Sequence, residues 1–137
     1  MAVSTFDSEP SEDAPFDLEK LEAKATAGDV EAQYEMGWRH ALGMEVDLDD
    51  DIAVEWLEQA AAAGHMLAQN NMGARYYTGD GVKQDHKQAY RFFFQAANQG
   101  DRKAGKNLDA DARHLTEADH ESLRAEMGEA NFESEES

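Results

Sequence analysis

The chain contains no cysteine. That excludes a disulfide, a thiolate nucleophile and any zinc site built on cysteine. No apolar run approaches the roughly 18 residues that a membrane-spanning helix needs. The opening stretch, MAVSTFDSEPSEDAPF, has neither a basic n-region nor an apolar h-region. It does not read as a secretory signal, and the cytoplasm is the expected compartment. Catalytic punctuation is missing too: there is no Gly-x-Ser-x-Gly elbow, no P-loop glycine run and no His-Glu-x-x-His pair. Serines occur only at 4, 8, 11, 122, 134 and 137. Basic residues are scarce, 12 Lys and Arg against 30 Asp and Glu, for a formal net charge of -18. Such a chain repels phosphate and anionic headgroups, so neither nucleic acid nor a membrane surface is an expected partner. The charge leaves open a basic protein partner, imitation of DNA, or simply an acidic surface suited to a salt-adapted organism. Much of it lies at the ends: residues 1–17 carry five acids and no base, and residues 117–137 carry eight acids against Arg124.

What is present is a repeat. Gly28, Gly64 and Gly100 are spaced 36 residues apart. Ala32, Ala68 and Ala104 share that register, as do Met36, Met72 and Leu108. Gln33 matches Gln69, Gly37 matches Gly73, Gly43 matches Gly79, Val46 matches Val82, and Asp49 matches Asp85. Further on, Ala53 matches Ala89, Trp56 matches Phe92, Leu57 matches Phe93, and Ala60-Ala61 matches Ala96-Ala97. Self-similarity at this period marks a solenoid whose units bury their apolar faces only against neighbours.

Each unit reads as two helices. The first, about 29–42, has Ala32, Met36, Gly37 and His40 on one stripe, and the second, about 50–63, turns Ala53, Trp56, Leu57, Ala60 and Ala61 inward. Asp29, Asp49, Asp85 and Asp101 stand at N-cap positions, and Gly64 and Gly100 at helix ends. Small residues let two axes approach to roughly 8 Å. The aromatics Trp56, Phe92 and Phe93 fill the gaps between hairpins, each worth about 3–5 kcal/mol on removal. The expected core is Ala32, Met36, Gly37, Ala53, Trp56, Leu57, Ala60, Ala68, Met72, Gly73, Ala89, Phe92, Phe93 and Ala96. Leu18, Leu21 and Ala25 fit the second-helix register, so residues 16–27 read as an N-terminal capping helix. Asp109 stands where Gly73 would repeat, and Thr116 with Asp119 resembles a capping box that opens a last helix with Leu123 and Met127 inward.

The expected fold is therefore all-α: a short right-handed α-α solenoid of antiparallel hairpins with about six to seven helices. Its parts are an acidic disordered tail at 1–14, a folded domain at 15–130 and a second acidic tail at 131–137. Within the domain lie the capping helix 16–27, repeats 28–63 and 64–99, and a capping hairpin 100–130.

The units GDVEAQYEMGWRHALGMEVDLDDDIAVEWLEQAAAAG and GHMLAQNNMGARYYTGDGVKQDHKQAYRFFFQAANQG resemble the Sel-one-like repeat (SLR), a relative of the tetratricopeptide repeat (TPR). The carrying pattern is A-Q-x-x-x-G-x-x-Y, then G-x-G-V-x-x-D, then A-x-x-x-x-x-x-A-A-x-x-G. Residues 101–127 look like the closing segment of many bacterial members. The first unit departs at its loop, where Glu45 replaces Gly81 and acids crowd from Asp47 to Asp51, and a less tightly turned loop is expected there. The resemblance implies a non-enzymatic adaptor that binds a protein or peptide in a groove lined by first helices. Tyr34, Trp38 and Ala41 would face that groove in the first unit, Asn70, Ala74 and Tyr77 in the second, and Lys106, Ala110 and Arg113 in the third. Aromatics and arginine anchor interfaces, and an asparagine can clamp peptide backbone. Alternatively, Trp38 and Tyr77 pack against a neighbouring helix or the N-terminal tail. The competing function is an acidic inhibitor, immunity protein or DNA-mimic decoy on a basic surface.

No cofactor or metal is expected. Asp47, Asp49, Asp51, Glu55 and Glu58 sit at calcium-loop spacings, but Ile52 stands where such a loop needs glycine. His40, at the position of Tyr76, reads as a packed core histidine, and His65 and His86 as solvated. A monomer or weak homodimer is expected.

Overall fold

The computed structural model describes residues 15–128; the expected tails fall outside that range. Among the described residues it has seven helices and no strand: α1 Leu18–Thr26, α2 Val30–Leu42, α3 Asp50–Ala62, α4 Met66–Thr78, α5 His86–Asn98, α6 Arg102–Ala112 and α7 Glu117–Met127. Consecutive helices pack on one another from α1 to α6, and α7 folds back onto α5.

Local chemistry sets the helix starts. Asp17, Asp29, Asp49, Asp85 and Asp101 each accept a backbone N–H from the first turn. Thr116 and Asp119 form a reciprocal capping box at the start of α7. α4 starts on His65, whose Nδ1 accepts from the Ala68 N–H at 3.2 Å. Helices α2 and α4 end on Gly43 and Gly79 in the left-handed region, φ 69° and 79°. The first-unit loop is not looser: Glu45 holds φ 65° where Gly81 holds 76°, so the same turn is made with a side chain that disfavours it.

Inside the first two hairpins, α2–α3 and α4–α5, the close approach rests on a mid-helix glycine. A Cβ on Gly37 would lie 2.6 Å from Leu57 Cγ, and one on Gly73 2.6 Å from Phe93 Cδ1. The apolar core is serial. Ala25, Ala32 and Met36 join α1 to α2 with Trp56 against them. Leu57, Ala60, Ala61, Ala68 and Met72 join α3 to α4, with Phe92 against them. Ala89, Tyr90, Phe93, Leu108 and Leu123 close the last hairpins. Trp56 and Phe92 are half-buried, at the border of the core. Arg91 binds both oxygens of Glu126 at 2.5 and 2.8 Å, tying α7 to α5. That pairing holds the Glu126 carboxyl below its ordinary range.

Candidate functional site: the inner face of α2, α4 and α6

The first helix of each hairpin carries the candidate side chains, and Leu48 and Asp80 of the two inter-helix loops border the hollow between α2 and α4. Tyr34, Trp38 and Ala41 of α2 meet Asn71 and Arg75 of α4 around a depression of about 600 Å³. Leu42 and Leu48 complete its apolar wall, with Asp50 and Asp80 beside them. A second, smaller depression of about 220 Å³ lies further along, lined by Ala74, Tyr77, Thr78, Phe93, Asn107 and Ala110. The inner face thus gathers Tyr34 with Trp38, and Ala74 with Tyr77, but in two separate hollows.

Several candidates are already engaged. Tyr34 stacks on His65 with ring centroids 4.4 Å apart. Burial, and then the nearby Glu31 carboxylate, raise its phenol above the ordinary value. Trp38 lies beneath the Arg39 guanidinium, which also covers Phe16 at 3.8 Å, so the segment entering α1 is held against Arg39 of α2. Asn70 Oδ1 accepts from Asn107 Nδ2 at 3.2 Å, so this amide links α4 to α6. Lys106 and Arg113 are exposed and line neither hollow.

The histidines correct the solvated reading. His65 has a side chain only 8% exposed, caps α4 through Nδ1 and meets Glu31 through Nε2 at 3.1 Å. It fills the register position of Asp29 and Asp101, so a ring nitrogen replaces a carboxylate as the capping acceptor. His86 binds the fully buried Asp111 at 2.6 Å and stacks on His114 at 4.5 Å. His114 in turn meets the Tyr77 hydroxyl at 2.9 Å. Tyr77 therefore packs within its own domain as well as lining the smaller hollow. Burial raises the Asp111 carboxyl above its ordinary value, against the opposing pull of His86 and His114. His40 is packed, its Nδ1 3.0 Å from the Asp47 carbonyl. In the acid run Asp49 caps α3, and among the described residues no group of three or more His, Asp or Glu is placed to hold a metal.

The residues missed from sequence are Arg75, Leu42 and Leu48. Arg75 is 8% exposed; its Nε donates to Asn71 and its Nη1 to the Asp80 carbonyl. The register carried a signal for it, since Arg39 stands 36 residues earlier and pairs with Glu35, the counterpart of Asn71. Leu42 and Leu48 had none: they flank a loop, where burial cannot be read from periodicity.

The Sel1 repeat family model matches at residues 30–65 and 67–101, together just over half of the chain. Among solved structures, c5321, a protective antigen present in uropathogenic Escherichia coli strains that displays an SLR fold, is similar at 38% identity and a TM-score of 0.65. That likeness covers 69% of this chain and 20% of the other. A Sel1 repeat protein from Oxalobacter formigenes is similar at 33% identity and a TM-score of 0.66, over 68% of this chain and 27% of that one. The chain thus spans about a quarter or less of the lengths of these larger proteins. No curated protein matches it.

Proposed function

This chain belongs to the Sel1-repeat family, and we propose from that premise that it is a non-enzymatic adaptor which holds a protein or peptide segment along the inner face of α2 and α4. Proteins of this family generally mediate protein–protein interaction. The observation that carries the finer reading is the larger hollow. It combines Tyr34 and Trp38 with the two most exposed large apolar side chains among the described residues, Leu42 at 66% and Leu48 at 65%. Apolar side chains gathered in a concave place, rather than scattered, are what an interaction site requires. The described residues 15–128 act as one folded unit flanked by acidic sequence, working in the cytoplasm.

The test is capture of partners from lysate of the source organism on wild type and on a Trp38→Ala/Leu42→Ser variant of unchanged circular dichroism. Tyr34 and Tyr77 are left intact because they also pack within the domain. A partner that survives moderate salt on wild type and is lost on the variant is the expected result. A partner that survives the substitutions but washes off in salt would move the reading to an acidic decoy of a basic surface.

A further inference from the structure

The lining of the larger hollow carries two acids against one base. Asp50 and Asp80 line it, with side chains 42% and 64% exposed. The positive charge on its lining belongs to Arg75, which is buried and held by Asn71 and the Asp80 carbonyl. Asp50 and Asp80 stand 3.6 and 3.9 Å from that guanidinium, so their exposed oxygens keep capacity for an outside cation. The neighbouring Arg39 is likewise occupied, by Glu35 at 2.8 Å and Glu45 at 3.4 Å. This polarity is local: at the other end of the inner face, Lys106 and Arg113 are exposed.

We propose that the occupant of this hollow is a cationic amphipathic segment of a partner protein, with aliphatic or aromatic side chains on one face and Lys or Arg beside them. The inference rests on the reading of α2 and α4 as a docking face and adds the chemistry of what docks. Leu42, Leu48, Trp38 and Tyr34 take the apolar face, as in helix-in-groove recognition. A cation seated in the hollow beside Asp50 and Asp80 would lie within the Debye length of about 8 Å at physiological salt, so their pull on it would be little screened. The chain's own N-terminal segment is a poor occupant: residues 1–14 hold Asp7, Glu9, Glu12 and Asp13 and no base. A second copy, at -18, is repelled in the same way.

The experiment is fluorescence anisotropy of three labelled helical peptides with the full chain at about 0.15 M salt. One peptide is Leu/Lys amphipathic, one has Glu in place of Lys, and one has Ser in place of Leu. The Leu/Lys peptide should bind, and each of the other two should bind on the order of tenfold or more weakly. Leu42→Ser/Leu48→Ser and, separately, Asp50→Asn/Asp80→Asn should each weaken the Leu/Lys peptide on the order of tenfold. The two leucines are exposed, so the first variant stays folded.

If the Leu/Glu peptide binds as well and is weakened by the leucine changes, the cationic assignment is overturned while the docking face stands. If the Ser/Lys peptide matches the Leu/Lys peptide and the leucine changes have no effect, diffuse charge attraction replaces both. Tighter binding of a peptide of residues 1–14, or a chain dimer abolished by the leucine changes, would name a different occupant and overturn the proposal. Binding by none of the peptides overturns it as well and leaves the docking face to the capture experiment.

Discussion

Gln33 and Gln69 occupy the same place in successive repeats, and each sends its side-chain N–H to the last turn of the preceding helix, to the Ala25 carbonyl at 3.1 Å and the Ala61 carbonyl at 3.2 Å. Their oxygens fare differently. Gln69 Oε1 accepts from Gln99 Nε2 at 2.6 Å, whereas Gln33 Oε1 is buried with no hydrogen-bond partner in the protein. The register explains the difference, because the counterpart of Gln99 is Ala63. Ala63→Gln should supply the missing donor, with a second contact to the Gly28 carbonyl matching that of Gln99 to Gly64.

Satisfying a buried acceptor is worth about 1–3 kcal/mol, and ordering a glutamine side chain opposes it by up to about 2. A net gain of about 1 kcal/mol is expected, or a Tm rise of roughly 4 °C for a domain of this size. Urea melts followed by circular dichroism would measure it. The decisive control is a Gln33→Leu background, in which the same substitution should gain nothing, as a double-mutant cycle requires. An unchanged midpoint, or an equal gain in both backgrounds, would refute the reasoning.

The remaining predictions concern the backbone and the buried acid. Gly73→Ala should destabilise by about 1–2 kcal/mol, because the new methyl meets Phe93 at 2.6 Å and overpacking outweighs the helical preference for alanine. Gly105→Ala, with nothing within 4 Å of its Cβ, should instead stabilise by about 1 kcal/mol, and thermal melts of the two variants check the opposite signs. Glu45→Gly should stabilise by about 1 kcal/mol by relieving a left-handed non-glycine residue, a gain readable as a higher urea midpoint. Asp111 has its folded pKa raised by burial, so the contribution of its proton to stability is present at low pH and lost as pH rises through that raised value. Asp111→Asn should therefore be stabilising relative to wild type at neutral pH, with the advantage shrinking on acidification. A pH series of urea melts showing an advantage that grows toward low pH would contradict the sign.

The repeat made most of the architecture legible before any coordinates. Asp29, Asp49, Asp85 and Asp101 sit where a capping carboxylate must sit, and the alanines and glycines in register lie where two helix axes must approach. These are local or pairwise requirements, and a chain that repeats them displays them twice. Where one unit departs from the other, the reading weakened. Glu45 in place of glycine suggested a looser loop, yet the neighbouring helices hold it in the same turn. His65, near a helix start, reads from sequence as solvated, yet its nitrogen caps α4 and its face stacks on Tyr34.

The sequence by itself determined the helical class, the period, the capping helix at the start and the aromatic and small positions between hairpins. Those follow from backbone hydrogen bonding and side-chain size at a regular spacing. Only the tertiary structure decided which side chains share a hollow. Leu42 and Leu48 of the first hairpin share a hollow with Asn71 and Arg75 of the second. Arg75 approaches Asp50 across a repeat boundary, and Asp111 meets His86 from the next hairpin. Those meetings depend on how one hairpin is set against the next, a relation between distant residues that no local spacing encodes.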